Sequence, residues 1–357
     1  MAVTVSVPAT SVRFLACRLA PIDLPRQLPM RPPSPVRAGP GWRFNPTLLA
    51  PGRPALAMDL VSHTVGSPDG LDLNVWERSH ADATEAVLFV HGILTNARAL
   101  FDTPVEGDDS YSWLHGAASR GRAAFAMDQR GYGDSDLPPE LDEPPAANDP
   151  PVRAERAADD IAAVVEFIGD RYDTVHLVGV SWGCHTSGRY LERNDVGVAS
   201  MTYCAPVYEP AYDFQVALDA LGIDDYDVAH FEQDRETVRA RSAHPPEVFD
   251  AMWGAQVASN QGVDETTYVA QAGGIADWAD STAGEPVWDP GMTAVPTLVT
   301  YGSEDVIADR QGSLACYDAL TVDRAEYVEW AGVNHYPMHS ERRQEVFETV
   351  SNFQDRV

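Results

Sequence analysis

Val175-His176-Leu177-Val178-Gly179-Val180-Ser181-Trp182-Gly183 is the stretch whose reading decides the fold. The run up to Val180 is short and mostly aliphatic, as expected of a strand buried on both faces. Cys184–Glu192, just beyond, has the composition of a helix. Between them stands Gly179-Val180-Ser181-Trp182-Gly183, a Gly-x-Ser-x-Gly pattern in strand–turn–helix context, which is the setting of a nucleophile elbow. Such a serine sits on a turn sharp enough to strain its backbone. Its flanking residues must lack side chains to clear the neighbouring strand and helix. The pentapeptide alone arises often by chance; the context gives it weight.

A hydroxyl is a weak nucleophile at neutral pH, so a base must take its proton. The pattern calls for a downstream histidine with an acid between. Tyr301-Gly302-Ser303-Glu304-Asp305 follows the strand-like run Thr297–Val299, and Gly332-Val333-Asn334-His335 follows Ala325–Trp330. Ser181, Asp305 and His335 are therefore the expected nucleophile, orienting acid and base, in an order unlike that of chymotrypsin or subtilisin. His339 and His185 are the alternative bases. Glu304 and Asp309 are the alternative acids, with Glu209 or Asp213 if the acid follows the preceding strand. The oxyanion of acyl transfer needs two N–H donors. Trp182, next to the nucleophile, is one, and Ile93 in the loop His91-Gly92-Ile93 after the run Ala86–Val90 is the other.

From about residue 58 the chain alternates strand and helix patterns. Asp59–Val65 and Leu71–Glu77 read as a hairpin through Gly66-Ser67-Pro68-Asp69-Gly70. Ala86–Val90, Ala123–Met127, Val175–Val180, Val198–Tyr203, Thr297–Tyr301 and Ala325–Trp330 read as further strands. Glu155–Phe167 is the clearest helix, with Ala158, Ile161, Val164, Val165 and Ile168 at helical spacing. This alternation predicts an α/β fold with a mostly parallel sheet covered on both faces. Residues 206–292 interrupt it with helical patterns (Phe214–Leu221, Val228–Arg241, Pro246–Ala258) and no convincing buried strand. So long an insertion reads as a helical cap or lid. The core is then 58–205 and 293–357.

The chain of 357 residues has 25 basic residues, all arginine, and a formal charge of −29. Residues 1–57 carry seven arginines against Asp23 alone, so residues 58–357 hold a net charge of −35. That acidity argues against nucleic acid or an anionic membrane as partner, and no apolar run is long enough to span a bilayer. High-salt adaptation and a GC-rich genome both fit an acidic, lysine-free body. The Pro- and Arg-rich first 57 residues read as a disordered tail or as sequence upstream of a start at Met58, with a transit-like segment as the alternative. Cys17, Cys184, Cys204 and Cys316 show no metal-type spacing and read as reduced thiols, hence a cytoplasmic protein. Cys184, close to the nucleophile, reads as a packing residue.

Residues 58–357 resemble the α/β-hydrolase superfamily, in the branch with a cap after the sixth strand. The His91-Gly92 turn, the elbow and the Asp305 and His335 loops stand in that family's order. So does Asp128-Gln129-Arg130-Gly131-Tyr132-Gly133-Asp134-Ser135, similar to a Asp-x-Arg-Gly-x-Gly-x-Ser loop that supports the site from beneath. The resemblance implies a doubly wound, mostly parallel eight-stranded sheet. It also implies acyl-enzyme chemistry on a small acyl substrate, a carboxylic ester, with no metal or cofactor. A serine nucleophile argues against the dehalogenase and epoxide hydrolase branches, which use aspartate. The elbow also resembles that of proline iminopeptidases, but the His91–Thr95 loop departs from their oxyanion loop. Carbon–carbon bond hydrolysis, with Arg235, Arg239 or Arg241 holding an acid, acyl transfer, and a non-catalytic binding module are the alternatives. Tyr208, Tyr212, Phe214 and Trp253 are candidate lid residues for the pocket.

Overall fold

The computed structural model describes residues 58–193 and 197–357; the expectations for residues 1–57 and for Cys17 lie outside them. Eight strands form one sheet: β1 Val61–Gly66, β2 Asp72–Ser79, β3 Glu85–Val90, β4 Ala123–Met127, β5 Thr174–Val180, β6 Ser200–Cys204, β10 Thr297–Gly302 and β11 Ala325–Trp330. Three short strands lie between β6 and β10: β7 His230–Asp234, β8 Gly262–Asp264 and β9 Thr267–Gln271. The helices are α1 Ala97–Phe101, α2 Trp113–Ser119, α3 Ala154–Gly169, α4 Trp182–Leu191, α5 Phe214–Leu221, α6 Arg235–Arg241, α7 Pro246–Val257, α8 Gly273–Thr282, α9 Arg310–Ala319 and α10 Arg343–Gln354.

The large sheet runs β1-β2-β4-β3-β5-β6-β10-β11. Both pairings of β2 are antiparallel, and every pairing from β4 to β11 is parallel. Burial on both faces explains the unbroken apolar strands. Val87 and Phe89 of β3 pack with α1, α2 and α10, while Leu88 and Val90 pack with α3 and α4 on the other side. Ala158, Ile161, Val164, Val165 and Ile168 of α3 are all buried against the sheet, as their spacing predicts. Each of these valine and isoleucine side chains contributes about 1.5–3 kcal/mol by leaving water.

Parallel register brings the chemistry-bearing loops to one edge. Val90 is opposite Gly179, Val180 opposite Cys204, and Gly302 opposite Trp330, so β3, β5, β10 and β11 release their following loops at their shared C-terminal ends. Ligands of open α/β sheets sit at that edge.

The segment between β6 and β10 departs from the expectation of helices alone. It carries α5 to α8, but also the antiparallel sheet β7-β9-β8. Val228–Arg241, which reads as one helix, is split at Asp234: β7 ends there, and its carboxylate caps α6 by accepting from Thr237 N. In β9, buried Tyr268 and Ala270 alternate with half-buried Thr267 and Val269, a period of two too short to stand out in the sequence. Among the described residues no helix is long and apolar enough to cross a membrane.

Candidate active site

Ser181 lies between β5 and α4 with φ 55° and ψ −120°, in a region that side-chain-bearing residues rarely occupy. Such a residue stores about 1–3 kcal/mol of strain, which its surroundings must offset. Its N–H donates to Cys204 O at 3.0 Å, and its carbonyl accepts from Cys184 N at 2.8 Å. The two flanking glycines are required by space. A methyl at Gly183 would collide with Val90 O of β3, and one at Gly179 with Gly183 O of α4. The Gly-x-Ser-x-Gly pattern is thus the imprint of a strand and a helix crowding one turn.

The loop after β3 presses against Ser181. A Cβ on Gly92 would lie 2.9 Å from Ser181 Cβ and 3.3 Å from Ser181 Oγ. Buried His91 ties this loop to the loop after β4: its Nε2 accepts from Gln129 N at 3.0 Å and its Nδ1 donates to Gly92 O at 2.7 Å. Burial lowers the His91 pKa to about 4, so the ring is neutral, as both bonds require. The amides of Ile93 and Trp182 have no hydrogen-bond acceptor among the described residues. Helix α8 packs on the side chains of both residues: a Cβ on Gly274 would strike Ile93 Cγ2 and lie 2.9 Å from the Trp182 indole. Buried Asp277, on the same helix, accepts from Trp182 Nε1 at 2.7 Å and Ala154 N at 2.8 Å, and pairs with Arg153. No sequence signal marks Asp277, one acid among many.

Asp305 and His335 come together. His335 Nδ1 donates to Asp305 Oδ2 at 2.8 Å, and Asp305 Oδ1 accepts from Ile307 N at 2.8 Å and Ala308 N at 2.9 Å. Three donors fix the carboxylate. The carboxylate in turn fixes which ring nitrogen carries the proton, leaving Nε2 as a base. Ser181 and His335 line one cavity without being hydrogen-bonded to each other. Such bonds are commonly long until substrate is bound.

The alternatives are engaged elsewhere. His339 is buried, bonded to Thr103 Oγ1 at 2.8 Å and to His244 at 3.1 Å. His185 bonds Val207 O at 2.7 Å. Burial lowers the pKa of both rings. Asp309 caps α9 and Asp213 caps α5, while Glu304 and Glu209 are exposed. Cys184, Cys204 and Cys316 are buried free thiols whose pKa values burial raises, so they are inert packing groups.

The cavity in front of Ser181 is lined by Gly92–Thr95 and Leu100, by Val180, by His335 and Tyr336, and by Leu221, Trp278 and Ile307. This corrects the expected lid residues. Tyr208 packs on Trp288, Trp253 packs with Phe249 and Tyr268, and Tyr212 and Phe214 stand behind Trp278. The loop after β4 supports the site from below. Asp128 accepts from Asn74 Nδ2, Trp76 Nε1, Ala97 N and Asp134 N, and Arg130 pairs with Asp69 and buried Asp160.

The α/β hydrolase fold family model matches residues 85–341. Epoxide hydrolase 2 of Siraitia grosvenorii is 30% identical over 129 residues, which is 35% of this chain and 33% of that protein, so the match spans about a third of the relative. The esterase of Exiguobacterium antarcticum shares the fold at TM-score 0.59 and 16% identity, over 82% of this chain and 100% of that one. E-2-(acetamidomethylene)succinate hydrolase does so at TM-score 0.57 and 22% identity, over 83% and 100%. The chain belongs to the α/β-hydrolase fold family.

Proposed function

We propose that this protein is a serine hydrolase that cleaves a carboxylic ester through an acyl-enzyme. One observation carries the reading: a strained Ser181 opens onto the same cavity as His335, whose ring is held by Asp305. His335 Nε2 takes the Ser181 proton as Oγ bonds to the ester carbonyl carbon, and the carbonyl oxygen becomes an oxyanion. The amides of Ile93 and Trp182 stabilise that charge, an effect worth about 3–4 kcal/mol per donor. Collapse expels the alcohol, which receives the proton from His335. Water then repeats the sequence on the acyl-serine and releases the acid. None of these steps calls for a metal or cofactor. The segment carrying α5 to α8 serves as the cap that closes the cavity.

Epoxide opening, the reaction named for the Siraitia grosvenorii relative, fits these residues poorly. Serine attack on an epoxide leaves an ether, with no carbonyl for water to attack. Carbon–carbon bond hydrolysis of an acid draws no support from the arginines expected for it, since none lines the cavity among the described residues. The test is Ser181→Ala with short p-nitrophenyl esters. Turnover is expected to fall by about 10⁵–10⁶-fold with an unchanged circular dichroism spectrum. Retained hydrolysis by the folded variant overturns the assignment.

A further inference from the structure

Resting on the ester reading, we propose that the cavity before Ser181 is a short, rigid pocket for an uncharged acyl chain of acetyl to butyryl size, with Leu221 and Trp278 as its length gauge. The cavity measures about 40 Å³. It is a small space closed off by Leu221 and Trp278, which suits a short acyl chain better than a long one. The side the acyl chain takes follows from the oxyanion donors. Trp278 lies one helical turn beyond Gly274, which packs on the Ile93 and Trp182 side chains, and its ring lines the cavity together with Ile93, whose amide is one of those donors. The alcohol must leave past His335.

The wall is held in place, so its size is built in. Trp278 Nε1 donates to Tyr212 Oη at 2.8 Å, and Tyr212 Oη donates to Ile307 O at 2.7 Å, joining two wall residues through a third side chain. The Phe214 ring meets the Trp278 ring edge-on at 5.2 Å. Leu221, the last residue of α5, has its carbonyl bonded by the Arg241 guanidinium, which also bonds Gln233 Oε1. A cation at a helix C-terminus is favourably placed, which pins that end of α5 over the cavity.

Its polarity is equally marked. Ile93, Leu94, Leu100, Leu221, Trp278 and Ile307 supply an apolar surface, and the lining contains no carboxylate, lysine or arginine among the described residues. The three cap arginines are occupied. Arg235 pairs with Asp250, Arg239 lies over Phe249 and bonds His244 O, and Arg241 holds Leu221. An acyl chain ending in a carboxylate would be desolvated there without a partner.

The experiment compares p-nitrophenyl acetate, butyrate, octanoate and hemisuccinate, with the Ser181→Ala background subtracted. Wild-type kcat/KM is expected to peak at acetate or butyrate and to lie at least about tenfold lower for octanoate and for hemisuccinate. Trp278→Ala and Leu221→Ala should each move the peak toward octanoate, raising the octanoate-to-acetate ratio of kcat/KM by at least about tenfold. Should neither variant fold, the wild-type profile decides alone. Octanoate cleaved as well as butyrate, by an enzyme whose Ser181 reacts with a fluorophosphonate, overturns the pocket and leaves the ester reading intact. A wild-type profile retained in both folded variants does the same to the gauge. No labelling and no ester turnover overturn the ester reading and the pocket with it.

Discussion

Two regions meet at Ser181, and they constrain their residues differently. In the sheet, β3 to β6 and β10 are buried along nearly their whole length, and their parallel register leaves the ends of β3 and β5 no space between them. There a single methyl on Gly179 or Gly183 meets backbone atoms. In the segment between β6 and β10 the strands are three to five residues long, and β7 and β8 lie largely at the surface. Its residues that matter to the site, Asp277, Trp278 and Leu221, are held by side-chain hydrogen bonds, an ion pair and ring contacts. The contrast teaches that Ser181 is set by backbone crowding, while the space before it is set by side chains that could be exchanged.

Substitution in the crowded region should cost most. Gly183→Ala is expected to destabilise by about 4 kcal/mol or more, because Val90 O and His91 O cannot retreat without breaking the sheet. A chemical-denaturation midpoint close to wild type would show that the elbow has slack and erase the contrast. Acid comes next. His91 and His244 are both lowered to about 4 by burial, with Arg239 assisting at His244, against an ordinary value of 6.5. Between those limits the unfolded chain binds more protons than the folded one. Stability from each ring is therefore full above pH 6.5, declines as pH falls, and is lost by about pH 4, amounting to roughly 3 kcal/mol for fully buried His91. The measurement is a urea midpoint at pH 7 and at pH 4.5, made near 1 M salt so that relief of carboxylate repulsion is screened. Burial raises Asp128 to about 6 and so acts in the opposite sense, and the reading is therefore taken against His91→Gln: the same acid loss in both proteins would mean that the buried ring protonates without cost.

The smallest effect is expected where the two regions join. Asp277→Asn keeps an acceptor for Trp182 Nε1 but weakens the Arg153 pairing, for a loss of about 2 kcal/mol. Because the Trp182 amide stands beside Ser181, kcat should fall several-fold more than KM changes. A stability loss with unaltered kcat would mean that Asp277 anchors α8 without bearing on the elbow.

Much of the core was legible because its constraints are local. Strands buried on both faces read as apolar runs, and the eight runs identified in the sequence coincide with the eight strands to within about two residues at each end. The serine, the histidine and the acid were findable because each follows one of those strands, where the fold turns toward its ligand edge. The small sheet was missed because β7 to β9 carry only a few residues of alternation, and because Asp234 acts as a cap inside what periodicity reads as one helix. The lid residues were misplaced for a related reason. Aromatic side chains near β6 look suited to a pocket, yet Tyr208 and Trp253 are spent on packing.

Sequence by itself therefore determined the succession of the eight strands along the chain and the places of Ser181, Asp305 and His335 after three of them, since steric crowding and buried faces write themselves into short patterns. Only the tertiary structure decided which residues wall the cavity, how large it is and that Asp277 joins α8 to the elbow. Those depend on contacts between residues far apart in the chain, such as Trp182 with Asp277 or Arg241 with Leu221, and no local pattern records them.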